Sequence, residues 1–146
     1  MRELIQATKE MMPEIALLFR ACFDHTYPTF PPLHTAEEDL QYFSEVIFPK
    51  DVIYACTENE RILGFIAFND EWIDHLYIHP SVQGQGIGSR LLAMASKGKN
   101  RLQLWTFQEN IRARAFYERQ GFKAVRFTDG DNEEGQPDVL YMHGEK

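Results

Sequence analysis

Residues 83–89 read Gln83-Gly84-Gln85-Gly86-Ile87-Gly88-Ser89, after an apolar stretch ending in His79-Pro80 and before the apolar pair Leu91-Leu92. Three glycines in five positions let a backbone approach a ligand closely and adopt positive φ. A helix that starts here leaves its first amide N–H groups unpaired, and its dipole favours an anion. The expected chemistry is diphosphate binding with few cations; a flexible strand-to-helix turn is the plainer alternative. A dinucleotide fingerprint would need glycine at 89, where Ser89 stands, although Glu109 is spaced like its ribose-binding acid. A phosphate loop would need a Gly-Lys-Ser/Thr step, which is missing after this loop. Upstream, Glu71, Asp74 and His75 are titratable groups on one apolar stretch, and downstream Asn110 and Tyr117 precede Gly121-Phe122. Cys22 and Cys56 have no CxxC partner, so no zinc site is expected and both read as reduced, buried thiols.

The elements that must position these residues follow from the pattern. Residues 2–8 alternate as a strand, and 9–23 carry apolar residues at helical spacing. Three of the seven prolines fall in 27–33 and stop that helix. Thr35, with Glu38 three residues on, opens a second helix to about Phe48. Strands 52–57 and 62–68 form a hairpin, and 72–78 is a third strand. Simple alternation puts Asp74 on one face with Leu76 and Ile78, and His75 on the other with Ile73 and Tyr77. A helix over 89–97, a strand over 101–107 and a short helix over 111–120 follow. Strands at 122–127 and 139–143 flank an acidic loop. The expected architecture is one mixed α/β (α+β) domain over 1–146.

The composition bounds the partners. With 146 residues, 44% apolar, 25% charged and 13% aromatic, the chain suits one globular domain and not a disordered one. Fifteen basic against 22 acidic residues give −7, which disfavours nucleic acid and anionic membranes as partners. No stretch is long and apolar enough for a membrane span, and charges interrupt the N-terminal segment where a signal peptide would be apolar. A cytoplasmic protein, monomeric or homodimeric, is expected.

Gln83 to Gly88 resembles the Q/R-x-x-G-x-G/A signature of the GNAT N-acetyltransferases. Asn110 followed seven positions later by Tyr117, then Gly121-Phe122, resembles that family's second signature. The resemblance spans essentially the whole chain. It implies a mostly antiparallel central sheet with a splayed strand pair and about four flanking helices. It also implies acetyl-CoA as co-substrate, no metal, and direct attack by a primary amine in a ternary complex. By this resemblance the backbone of Leu76, Tyr77 and Ile78 pairs with the pantetheine. Gln83, Gly84, Gln85, Gly86, Ile87, Gly88 and Ser89 hold the pyrophosphate. Asn110 contacts the pantetheine arm or the adjacent loop, the Ile78 amide stabilises the oxyanion, and Tyr117 protonates the departing sulfur.

Each role has a plainer counterpart. Asn110 can cap the helix at Ile111, Tyr117 can be a core aromatic, and Arg90, Arg112 and Arg114 can be solvated rather than near a phosphate. Relatives place a glutamate base on the fourth or fifth strand, but 103–107 carries no carboxylate. His75, Asp74, Glu71 and water remain as bases. A non-catalytic acetyl-CoA sensor and a small nucleotide-binding oxidoreductase are the competing functions.

Overall fold

The computed structural model describes residues 1–144. Strand β1 (Glu3–Gln6) leads to helix α1 (Met12–Thr26), which buries Met12, Ile15, Ala16, Leu18 and Cys22 along one stripe. Thr35 caps α2 (Ala36–Tyr42): its hydroxyl accepts the Glu38 N–H at 3.1 Å, and the Glu38 carboxylate accepts the Thr35 N–H at 2.8 Å. The rod continues through a π-helical turn (Phe43–Ile47) into α3 (Phe48–Lys50). Pro49 has no N–H to donate back along the helix and its ring crowds the preceding turn, so the wider turn relieves it. The apolar pattern alone predicts an uninterrupted helix here.

Strands β2 (Val52–Glu58), β3 (Arg61–Phe68) and β4 (Ile73–Ile78) join β1 in an antiparallel sheet of order β1-β2-β3-β4. Helix α4 (Ile87–Ser96) starts two residues before the expected position. Strand β5 (Arg101–Phe107), helix α5 (Ile111–Arg119), β6 (Lys123–Phe127) and β7 (Asp138–Gly144) complete the chain, with a second sheet of order β5-β7-β6. Cores lie on both faces of the first sheet. Phe65 and Ala67 of β3 pack toward α1, and Ile66 and Phe68 pack toward α4. Cys22 and Cys56 are free and buried, as expected.

The two sheets touch at a parallel bridge between Trp72 and Gln103, where the Gln103 N–H donates to the Glu71 carbonyl at 2.8 Å. Past that bridge, β4 and β5 part. The α+β fold, the splayed pair and four helical rods among the described residues (α1, α2 with α3, α4 and α5) agree with the sequence reading.

One expectation fails on β4. The ladder pairs Ala67 with His75 but Phe68 with Ile73, leaving Asp74 as the extra residue of a bulge. The bulge flips the alternation. Ile73 therefore joins Leu76 and Ile78 on the α4 side, while His75 and Tyr77 face the aromatic rings of α1.

Candidate active site

A cleft of about 580 Å³ fills the gap between β4 and β5. Its β4 wall is an unpaired strand edge. The His79 N–H donates to the Leu63 carbonyl at 2.8 Å, so by alternation Tyr77 also turns its backbone to β3, and Leu76 and Ile78 turn theirs to the cleft. Tyr77 borders the cleft, but its peptide groups are committed to the ladder. The Ile78 carbonyl already accepts the Cys22 thiol at 3.3 Å and the Gln83 amide at 3.2 Å, which leaves its N–H facing the cleft.

The floor is the glycine loop. Gly84 and Gly86 take φ values of 79° and 85°, a region other residues rarely adopt. Gly86 carries no capping side chain, and the first bond of α4 runs from the Arg90 N–H to the Gly86 carbonyl at 3.1 Å. The amides of Ile87, Gly88 and Ser89 therefore lack a partner four residues back and are available to an anion. Gln85 does not line the cleft, because its amide oxygen accepts from Arg2 at 2.6 Å. Arg112 does line it, beside Gly84, whereas Arg114 is spent on the Tyr141 hydroxyl and the Gln108 carbonyl.

Tyr117 borders the same cleft with 8% of its surface exposed. Burial pushes its phenol well above the ordinary value, so it holds its proton throughout the physiological range. Asn110 caps α5 by accepting the Ala113 N–H at 3.1 Å, and its NH₂ donates to the Tyr27 hydroxyl at 2.8 Å. It borders the cleft with both polar ends engaged.

His75 borders this cleft and also a second cavity of about 290 Å³ between α1, α2 and the acidic loop. Burial lowers the imidazole to about 4, so the ring is neutral at pH 7, and its Nε2 lies 2.9 Å from the Tyr42 hydroxyl. Phe19, Phe23 and Tyr42 wall the second cavity, with Glu38, Glu133 and Glu134 around it. Asp39 also lines it, but Arg20 holds that carboxylate at 2.8 and 2.9 Å, and Glu133 contacts His34. Glu37, Asp129 and Asp131 are not among its lining residues. Glu71 bonds Arg101 at 2.7 Å at the foot of the wedge, away from the cleft lining.

The sequence reading passed over two residues. Gly64 of β3 stands directly opposite Ile78; an isolated glycine in an apolar strand signals close backbone approach and marked it. Asp51, buried beside Asp74, had no signal, because their proximity depends on the hairpin between them.

Comparison with known proteins defines the class as acetyltransferase. The family model "Acetyltransferase (GNAT) domain" matches residues 49–124. The chain belongs to the GNAT acetyltransferase family. It is 27% identical over 119 residues to the peptidyl-lysine N-acetyltransferase YjaB of Salmonella typhimurium, covering 82% of this chain and 81% of that one. In fold it resembles the PaiA N-acetyltransferase of Thermoplasma acidophilum, solved with coenzyme A (TM-score 0.77, 17% identity, 99% of both chains). It also resembles apo YjaB of Escherichia coli (TM-score 0.78, 20% identity, 99% of both chains). Membership in this family sets aside the dinucleotide reading of the glycine loop.

Proposed function

We propose that this chain moves an acetyl group from acetyl-CoA to a primary amine of a small molecule or peptide, by direct attack in a ternary complex. The observation that carries the reading is one cleft combining an open strand edge, an uncapped helix start and a proton-holding phenol. Leu76 and Ile78 pair with the amides of the pantetheine as an added strand would. The free amides of Ile87, Gly88 and Ser89 take the pyrophosphate, with Arg112 beside them. The Ile78 N–H meets the oxyanion and Tyr117 gives its proton to sulfur. Coenzyme A in the PaiA structure and the name of the Salmonella relative support the reading.

The test is release of free thiol from acetyl-CoA across a panel of amines. Binding of acetyl-CoA with no release on any amine would favour a sensor. The loop is tested separately. A Cβ at Gly86 meets no non-neighbouring atom of the described residues within 4 Å, but it strains a backbone at φ 85° next to the amides assigned to the ligand. Gly86→Val is expected to weaken acetyl-CoA binding by more than about tenfold. A folded variant with native affinity by calorimetry would rule out the pyrophosphate assignment.

The second cavity fits the acceptor. Aromatic walls suit the apolar stem of an amine, and the carboxylates of Glu38, Glu133 and Glu134 suit its cationic form. Since exposed charges are screened by salt, kcat/KM for a cationic amine should fall as ionic strength rises. A rise with salt, or preference for anionic acceptors, would contradict this.

A further inference from the structure

We propose that Asp51 and Asp74 share a single proton site and that the unprotonated pair is the base that receives the amine proton. Asp74 is the catalytic residue at the cleft and Asp51 the positioning residue behind it. The base role rests on the N-acetyltransferase reading above.

The geometry begins with the β4 bulge. It turns Asp74 out of the regular alternation, so that Asp74 borders the cleft while its carboxylate Oδ2 meets Lys50 Nζ at 3.1 Å. The turn before β4 fixes the next group. Asn69 Oδ1 accepts the N–H groups of Glu71 and Trp72 at 3.2 and 3.0 Å, which forces its NH₂ the other way. That NH₂ lies 3.0 Å from Asp51 Oδ1 and 3.4 Å from Asp74 Oδ2, so a single amide bridges both carboxyl groups. Asp51 is 8% exposed, and its Oδ2 is buried with no hydrogen-bond partner among the described residues. An unpartnered buried carboxylate oxygen is costly; a proton on it turns it into a donor, and the Asp74 carboxylate held by the same Asn69 amide is the neighbouring acceptor.

The surroundings favour that proton. Burial, then the hydrogen bond and negative charge of Asp74, push the Asp51 carboxyl up to about 7; Asn69 and Lys50 oppose the rise. The value belongs to the pair rather than to either residue. Of the other groups facing it, the His75 imidazole is neutral, and the Tyr42 phenol is raised to about 12, so neither supplies a compensating charge at neutral pH. A lone carboxylate near 4 is a poor proton acceptor at pH 7, and a pair near 7 is a far better one.

The step balances without another reagent. The amine nitrogen bonds to the thioester carbon and sheds a proton, by way of cleft water, to Asp74. The C–S bond breaks, and the thiolate takes the Tyr117 proton. The pair then returns its proton to the phenolate through solvent.

The experiment uses the full chain as native protein, Asp51→Asn and Asp74→Asn. Thermal unfolding is followed between about pH 5 and about pH 8, and thiol release from acetyl-CoA with a lysine-containing peptide over the same range. The folded carboxyl sits above its ordinary 3.8, so between 3.8 and about 7 the folded state binds more protons than the unfolded one. The pair therefore contributes a decline in native stability as pH rises through that window, levelling off above it, while His75, lowered to about 4 from its ordinary 6.5, contributes an opposing rise below about 6.5 that the variants share. Asp51→Asn should lose the decline, and Asp74→Asn should reduce it. In kinetics, the acid limb of kcat/KM should lie near 7 in the native enzyme and move down by at least about one unit in Asp51→Asn, with the plateau about tenfold lower. An unchanged decline in Asp51→Asn overturns the shared proton. A lost decline with an unmoved limb overturns the base role. Native protein that binds acetyl-CoA, keeps the decline and releases no thiol with any amine overturns the base role together with the transferase reading, and leaves the shared proton standing.

Discussion

Tyr117→Phe protein should fold, bind acetyl-CoA with native affinity and lose on the order of ten- to a thousandfold in kcat. The fold should survive because the substitution removes only a hydroxyl that has no protein partner among the described residues. The ring keeps its neighbours Phe116, Phe122 and Tyr141, at centroid separations of 5.2, 5.7 and 6.2 Å. Affinity should survive because the phenol acts on the sulfur only as charge develops there. Burial raises the phenol well above its ordinary value, which at first weakens the case for a proton donor. The same cleft answers the objection. Cys22, another thiol on its wall, is pushed up to about 12 by the same desolvation. A thiolate born in this cleft is correspondingly more basic than in water, so donor and acceptor rise together. A Tyr117→Phe variant with native kcat on its best amine would return this residue to packing and remove the proton donor from the reading.

What the sequence disclosed was local. The glycine loop, the Asn110 cap and the apolar stripe of α4 each depend on neighbours a few positions away, and each is where the residue pattern puts it. The errors came where one strand's geometry is set by another. Alternation along β4 assumes an unbroken ladder, but the bulge opposite Ala67 and Phe68 inserts Asp74 and moves Ile73 to the face of Leu76 and Ile78, while His75 stays with Tyr77. The acidic loop was legible as acidic. That Glu133 and Glu134, but not Asp129 or Asp131, reach the second cavity is a tertiary fact. Asp39 on α2 is counted in the net charge of −7, but Arg20, across from it on α1, neutralises it. The charge that remains for an acceptor is smaller and more localised than the residue count implied.

Gly64→Val tests whether the β4 edge itself is catalytic machinery. Gly64 lies opposite Ile78 at a pair where strands approach most closely, because the flanking Leu63 and His79 carry the hydrogen bond. A Cβ there would sit 2.7 Å from Ile78 Cδ1 and 2.9 Å from the Tyr77 carbonyl oxygen. The isoleucine tip can rotate away, but the carbonyl is backbone and moves only with the strand. Overpacking of this kind costs about 1–3 kcal/mol of stability. The larger effect should be on rate, because the displaced residues carry the Ile78 N–H that faces the cleft. A shift of about 1 Å in a positioning group costs on the order of a hundredfold, so kcat/KM should fall at least about tenfold. Leu63→Ala separates the two causes. It empties a buried site on the adjacent position of β3, facing the α4 core, and should cost about 2–5 kcal/mol without pushing on β4. Assayed well below both melting midpoints, Leu63→Ala should keep most of the native kcat/KM and Gly64→Val should not. If Gly64→Val retains native turnover, or if the two variants lose activity in proportion to lost stability, the close approach at Gly64 is packing alone and the Ile78 amide is not held in place by it.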